Sequence, residues 1–445
     1  MTLVRNGERI ALGADQALPR PILSATDVAL DAPLVFVGNG LDAPGLGSDP
    51  YAGIDVKGKI VVILSTLPAD LGADVRGHVS QARAQMAADR GAVGFITISD
   101  APADRAQRSY DFFSKRASTS WVAEDGRNGS LPDGLKMSIS VSPSGAEALF
   151  AGAPVALSDL VAMAQAGEAL PTFDMGASIE ATAVSTHKDV TSPNVIGMLP
   201  GSDPEQADEY VLLVAHLDHV GYKANAKPGE DNIHNGALDN AAGVATMLEA
   251  ARLFVEADNQ PDRSIIFMAV TAEEKGLLGS EYYAAKPTVP IEDVVANISL
   301  DMPVPLYDFT DVVAFGAEHS SVSDYIRKAA ATMDVSLSPD PMPEQGIFVR
   351  SDHYSFAKQG VPSILLFTGY ANGGEEVWND FFATRYHQVG DDLSQDFHWN
   401  ALARYGALNY RIASAIAEDD ARPLWYEGNF FGDAFDPDGE RAPAP

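Results

Sequence analysis

Between positions 216 and 301, four short stretches carry imidazole or carboxylate side chains. They are His216-Leu217-Asp218-His219, Asp239 within Asn235-Gly236-Ala237-Leu238-Asp239-Asn240, the pair Glu273-Glu274, and Asp301. The chain has Cys 0, which excludes disulfides, thiolate nucleophiles, iron–sulfur clusters and cysteine-ligated zinc. Any metal centre must therefore be built from histidine and carboxylates. Taken singly, each candidate has an ordinary explanation. A lone His216 at a strand end reads as a surface or satisfied core residue, and Asp239 as a helix N-cap accepting from free backbone N–H groups. Glu273-Glu274 reads as a solvated pair where the helix dipole favours negative charge, and Asp301 as a turn residue before Pro303.

The elements that carry these residues change that reading. Tyr210 to Ala215, Ser264 to Val270, Val295 to Leu300 and Ser363 to Phe367 are nearly continuous apolar runs, the pattern of strands buried on both faces. Ala241 to Val255, Leu277 to Ala285 and Val322 to Met333 lie between them with helical spacing. The sequence thus predicts an α/β domain with a mostly parallel central sheet flanked by helices. In open α/β sheets ligands bind beyond the carboxyl ends of the strands. His216, Glu273-Glu274 and Asp301 each follow a predicted strand, and Asp239 sits at the start of the helix at Ala241. All four ordinary explanations would have to coincide at one sheet edge, so the joint reading is a metal site.

The first half has a different texture. Leu34 to Val37, Lys59 to Leu64, Gly94 to Ile98 and Met137 to Val141 read as short strands, with helices at His78 to Arg90 and from Ser144 to Phe150. No cluster of histidine and carboxylates appears there, which argues for support or recognition. A length of 445 residues suggests two or three domains at roughly 150 residues each. The boundaries predicted are an N-terminal segment 1–24, a smaller domain 25–150, a connector 151–190, a catalytic domain 191–420 and a tail 421–445, with the last residues frayed.

The formal charge of -32 repels phosphate backbones and anionic headgroups, so nucleic acid and membrane surfaces are not expected partners. No apolar run approaches the roughly 18 residues needed to span a bilayer. The opening MTLVRNGERIALGADQ lacks the apolar core of a signal peptide, which fits either a cytoplasmic chain or the mature or trimmed form of a secreted one.

The motifs resemble the M28 family of zinc aminopeptidases. The resemblance rests on His216-Leu217-Asp218-His219, Asn235 to Gly243 (NGALDNAAG), Thr271 to Gly279 (TAEEKGLLG), Ser299 to Met302 (SLDM), Arg350 to Phe356 (RSDHYSF) and Tyr386-His387, in order from about Thr191 to Glu418. The segment Tyr51 to Ile60 (YAGIDVKGKI) is similar to the protease-associated domain inserted in many such enzymes. The resemblance implies a zinc-exopeptidase-like fold holding two zinc ions: His216 and Asp301 on one, Glu274 and His387 on the other, Asp239 bridging. It implies Glu273 as general base, Tyr386 as donor to the oxyanion, and a cis peptide at Asp239-Asn240. Asp218, two residues from His216, is placed to orient the imidazole through its second nitrogen. Peptide or aminoacyl substrates and a periplasmic or extracellular location follow from the same resemblance. A single-zinc glutaminyl cyclase, a carboxypeptidase and a non-catalytic receptor-like scaffold are the alternatives. His219 and His234 match no ligand position and are read as pocket lining or surface. Ser351 is read as a helix N-cap, with Arg350 or His353 touching substrate or giving structural support. The oligomeric state is left open.

Overall fold

The computed structural model describes residues 1–22, 25–223, 225–257 and 260–445. The chain divides into two compact units, Met1–Val190 and Thr191–Pro445.

The N-terminal unit is built on one eight-stranded sheet. Its strands are β1 (Thr2–Arg5), β2 (Glu8–Ala11), β3 (Ala17–Pro21), β4 (Asp27–Val37), β5 (Ile60–Leu64), β6 (Gly94–Ile98), β7 (Met137–Val141) and β8 (Thr172–Val184), in the order β2-β1-β8-β4-β5-β6-β7-β3. Neighbouring strands from β4 to β7 run parallel, while β8, β1 and β3 pair antiparallel. The helices are α1 (Ala73–Asp89), α2 (Ala103–Ser114), α3 (Pro143–Phe150) and α4 (Leu157–Gln165). Ser142 caps α3 by accepting from the Gly145 N–H, which satisfies a donor the first turn leaves free.

Two expected boundaries run through this sheet. Residues of 1–24 supply β1 to β3, and the expected connector 151–190 supplies α4 and the 13-residue β8, which lies between β1 and β4. Residues 23–24, at the first of those boundaries, lie outside the described residues. The reason is in β8 itself, where Met175, Ala177, Ile179, Ala181 and Ala183 alternate inward. Alanine buries little apolar area, so this period of two is faint in the sequence.

A buried arginine closes the carboxyl end of β5. Arg83, on α1, is 4% exposed and donates through Nη1 to the carbonyls of Asn39, Leu64 and Ser65. Burial lowers its pKa to about 10, against the pull of Tyr51 and Asp100.

The C-terminal unit holds a seven-stranded sheet of β9 (Val195–Leu199), β10 (Tyr210–His216), β11 (Ser264–Val270), β12 (Val294–Ser299), β13 (Asp311–Phe315), β14 (Ser336–Ser338) and β15 (Ser363–Thr368). The order is β14-β13-β15-β12-β10-β11-β9. The central strands β15, β12, β10 and β11 are mutually parallel, whereas β9 pairs antiparallel with β11 and β13 with β15. The predicted α/β class is therefore the observed one. The helices are α5 (Ala242–Glu256), α6 (Leu278–Ala285), α7 (Val322–Ala331), α8 (His353–Ala357), α9 (Gly374–Thr384), α10 (Trp399–Ala417) and α11 (Phe430–Phe435), and a short β16–β17 pair (Trp425–Tyr426 with Arg441–Ala442) follows α10. The expected tail 421–445 is integral to this unit. Trp425 and Phe431 are fully buried, and Trp425 Nε1 donates to the Gly360 carbonyl at 2.7 Å. Among the described residues, no helix is long and apolar enough to cross a membrane.

Candidate metal centre

The parallel register fixes where the chemistry emerges. His216 ends β10 opposite Val270 of β11, and the Leu300 N–H donates to the Val214 carbonyl, so Asp301 leaves the sheet at the same edge. His216 Nε2 lies 3.1 Å from Asp301 Oδ1 and 3.2 Å from Asp239 Oδ1. The other oxygen of Asp239 faces a second group: Oδ2 is 3.1 Å from His387 Nε2 and 3.7 Å from His219 Nδ1. Glu274 Oε1 completes it, 2.8 Å from His219 Nδ1 and 3.4 Å from His387 Nε2. Donor atoms of His216, Asp239 and Asp301 all fall within 4.8 Å of one another, as do those of His219, Asp239 and Glu274. Asp239 is common to both groups.

The electrostatics are those of buried carboxylates crowded against imidazoles. Burial disfavours a charged His216, yet Asp301 and Asp239 outweigh it and hold the imidazole well above its ordinary pKa. Burial would raise Asp239, but hydrogen bonds from His216 and His387 keep it well below the usual carboxylate range. His387 is likewise raised, by Asp239 and Glu274 against burial. Burial pushes Glu273 well above the usual range, and Asp301, Asp352 and Asp239 add to it against His216. Glu274 Oε1 and both ring nitrogens of His219 are buried without a hydrogen-bond partner. Imidazoles and carboxylates converging on a shared carboxylate are donors of the kind that hold divalent cations, and this donor set suits zinc.

A frame of buried polar groups holds the donors in place. Asp218 differs from expectation in how it acts. Its backbone carbonyl, not its carboxylate, takes the His216 Nδ1 at 3.1 Å. The carboxylate instead accepts from the Glu273 N–H (3.0 Å) and the Glu274 N–H (3.3 Å), so it sets the turn that carries both glutamates. That turn begins at Ala272 with φ +58, a left-handed conformation for a residue with a Cβ. Asn240 and Asp391 were not found from the sequence. Asn240 accepts from the Gly243 N–H (3.0 Å) and the Met302 N–H (3.2 Å) and donates to the Leu300 carbonyl (2.9 Å), tying the Asp239 turn to the Asp301 loop. At Gly243 a Cβ would lie 2.1 Å from both Asn240 Oδ1 and the Leu300 carbonyl oxygen, so only glycine fits this crossing. Asp391, fully buried, accepts from the N–H groups of Leu238 (2.9 Å) and Asp239 (3.0 Å) and from Gln395 Nε2 (2.8 Å). The peptide between Asp239 and Asn240 is cis, as the resemblance implied.

Several sequence readings fall differently. Ser351 does not cap a helix; its hydroxyl donates to Asp301 Oδ2 at 2.8 Å, and α8 starts two residues later. His353 is fully buried against Phe348, where burial lowers its pKa to about 3, so it is part of the core. Arg350 is exposed. His398 caps α10 by accepting from the Ala401 N–H. Tyr386 stacks on the His387 ring at 3.9 Å, and burial followed by the Asp239 and Asp301 charges pushes its phenol well above its usual pKa. His219 belongs to the centre and is not mere lining, since its Nδ1 lies beside Glu274. Its signal in the sequence is the third position after His216 in His-Leu-Asp-His.

Residues 194–413 match peptidase family M28. A probable zinc metalloprotease of Pyrenophora teres f. teres (strain 0-1) is 36% identical over 118 residues, covering 25% of this chain and 23% of that protein. A probable leucine aminopeptidase 2 of Aspergillus oryzae is 26% identical over 274 residues, covering 57% of this chain and 49% of that protein. The chain thus spans half or less of the length of these relatives. The solved aminopeptidase from Aneurinibacillus sp. strain AM-1 superposes with a TM-score of 0.43 at 21% identity, over 95% of this chain and 81% of that one. The matched residues fill most of the Thr191–Pro445 unit and carry every donor of the centre, so the similarity to peptidase family M28 lies in that unit.

Proposed function

We propose that the C-terminal unit is a di-zinc aminopeptidase that hydrolyses the N-terminal bond of peptides. The observation that carries this reading is the sharing of Asp239, one carboxylate oxygen toward His216 and Asp301, the other toward Glu274 and His387. Zinc held there supplies Lewis acidity, which acidifies water and polarises the scissile carbonyl. The chain's own residues do the rest. Glu273 is the general base: it takes the proton of the attacking water and passes it to the leaving amine. Its raised pKa suits a group that must hold that proton between the two transfers. The Asp218 carboxylate fixes its backbone, so base and ligand Glu274 keep separate directions from adjacent positions. Tyr386, kept protonated by burial, donates to the developing oxyanion. In this reading the N-terminal unit is a protease-associated-like domain, and the chain works outside the cytoplasm on peptide or aminoacyl substrates.

The test is metal content together with substrate choice. The expected result is two zinc ions per chain and chelator-sensitive release of free N-terminal residues from aminoacyl and peptidyl chromogenic substrates. Cleavage of N-blocked peptides from the other terminus would indicate a carboxypeptidase. One ion with cyclisation of N-terminal glutamine would indicate a cyclase, and no ion a scaffold.

A further inference from the structure

His219 has no task in the reading above, yet its environment is that of a donor. Its side chain is only 7% exposed, and neither ring nitrogen has a hydrogen-bond partner. Leaving a neutral imidazole buried and unpaired costs free energy, so a partner is required. Its Nδ1 lies 2.8 Å from Glu274 Oε1 and 3.7 Å from Asp239 Oδ2. The Glu274 oxygen is itself without a hydrogen bond, so the 2.8 Å approach is a contact between two donor atoms off the hydrogen-bonding direction. Atoms that close, both unpaired, turned toward the same carboxylate, are arranged as ligands of one common ion. The His387 ring stands edge to face with the His219 ring at 5.6 Å, and its Nε2 meets the same two carboxylates.

We propose that His219 is a further metal ligand, giving the ion on the Glu274 side a second imidazole beside that of His387. The inference rests on the two-ion reading and makes the two sites unequal. The His216 side offers one imidazole with Asp239 and Asp301, whereas the Glu274 side offers two imidazoles with Asp239 and Glu274. Carboxylate count is the same on both sides, so the extra nitrogen decides the order of filling, and the Glu274 side loads first. The added imidazole also shifts that side's preference toward zinc, cobalt and nickel over manganese.

The full chain, stripped of metal and titrated with Co²⁺, tests this without reference to activity. Each cobalt-bound histidine gives one strongly shifted, exchangeable ring N–H proton signal. The expected spectrum of the two-cobalt protein has three such signals, from His216, His219 and His387. His219→Ala should lose one signal and at least tenfold in affinity at the site that fills first, with far-UV circular dichroism and the metal-free melting midpoint unchanged. Two signals from a wild-type chain holding two ions, or an unchanged titration of His219→Ala, would overturn the assignment and leave the two-ion reading standing. A wild-type chain that takes up a single ion would overturn that reading and this inference with it. The wild-type signal count needs no variant, so misfolding of His219→Ala leaves the question decided.

Discussion

The two units finish their central parallel strands in opposite ways. At the carboxyl end of β5 in the N-terminal unit, the carbonyls of Asn39, Leu64 and Ser65 are gathered by one buried guanidinium, Arg83. At the carboxyl ends of β10, β11 and β12 in the C-terminal unit stand His216, Glu273, Glu274 and Asp301, with Glu274 Oε1 left without a hydrogen bond. The backbone follows the same division. Among the described residues, Asn6 is the only non-glycine of the N-terminal unit with positive φ, whereas the C-terminal unit has Ala272, Leu277, Met302, Val304, Asp334, Asn372 and His387. Three of these belong to the centre or adjoin its acidic residues: Ala272 precedes Glu273, Met302 follows Asp301, and His387 Nε2 faces Asp239 and Glu274. Such conformations cost roughly 1–3 kcal/mol each and persist where surrounding structure over-determines them. The same sheet edge is used for stability in one unit and held open for a ligand in the other.

The comparison breaks most visibly at Glu273. Glu273→Gln should keep metal content and melting midpoint while kcat falls about 10²- to 10⁴-fold, the usual contribution of a general base; turnover within a few-fold of wild type would move the base elsewhere. Arg83→Ala is the mirror image. It strands three carbonyls, that of Leu64 fully buried, and loss of about 2–4 kcal/mol of unfolding free energy for the N-terminal unit is expected, with metal stoichiometry untouched. Chemical denaturation followed by a probe in that unit checks it, and an unchanged midpoint would show that water replaces the guanidinium. Asp391→Asn sharpens the contrast within the C-terminal unit, since the change spares every ligand but removes one of the two acceptors for the Leu238 and Asp239 N–H groups. Metal affinity should drop about 10- to 100-fold, the range for groups that orient ligands, as read by competition with a chelator.

The smallest effect is a slope. His353 has its pKa lowered by burial to about 3 from an ordinary 6.5, so between those values the unfolded chain binds more protons than the folded one. Stability from this group is complete above about pH 6.5 and declines as pH falls toward 3. His353→Gln should flatten that part of the stability profile, and an unchanged slope would place the titrating group elsewhere.

The parallel strands and the strand-end donors were legible because long apolar runs punctuated by charge leave few other interpretations. Ser264–Val270 was bounded to the residue, and β10, β12 and β15 to within one residue at either end. Strand β8 was lost to its alanines, and β13, a fully buried DVVAF, to an opening aspartate that broke the apolar run. At the centre, residues that donate through side chains were visible by type. Those that act on distant backbone were not: Asn240 and Asp391 are ordinary loop residues in sequence, and their hydrogen bonds reach 60 and more than 150 positions along the chain. For Asp218, which of its groups faces His216 depends on a turn geometry that spacing alone does not specify.

The reach of Asp391 has a consequence for how the protein is made. Leu238 and Asp239 leave the ribosome some 150 residues before the carboxylate that accepts from their N–H groups, and His387 emerges only four residues ahead of that carboxylate. Helix α5 and strands β11 to β15 are all synthesised in the interval. The sheet can therefore begin to assemble during translation, but the turn that holds the shared aspartate is completed only when nearly the whole unit exists. Completion of the donor set is in this sense a late step of biosynthesis, because His387 is the last of its residues to be made.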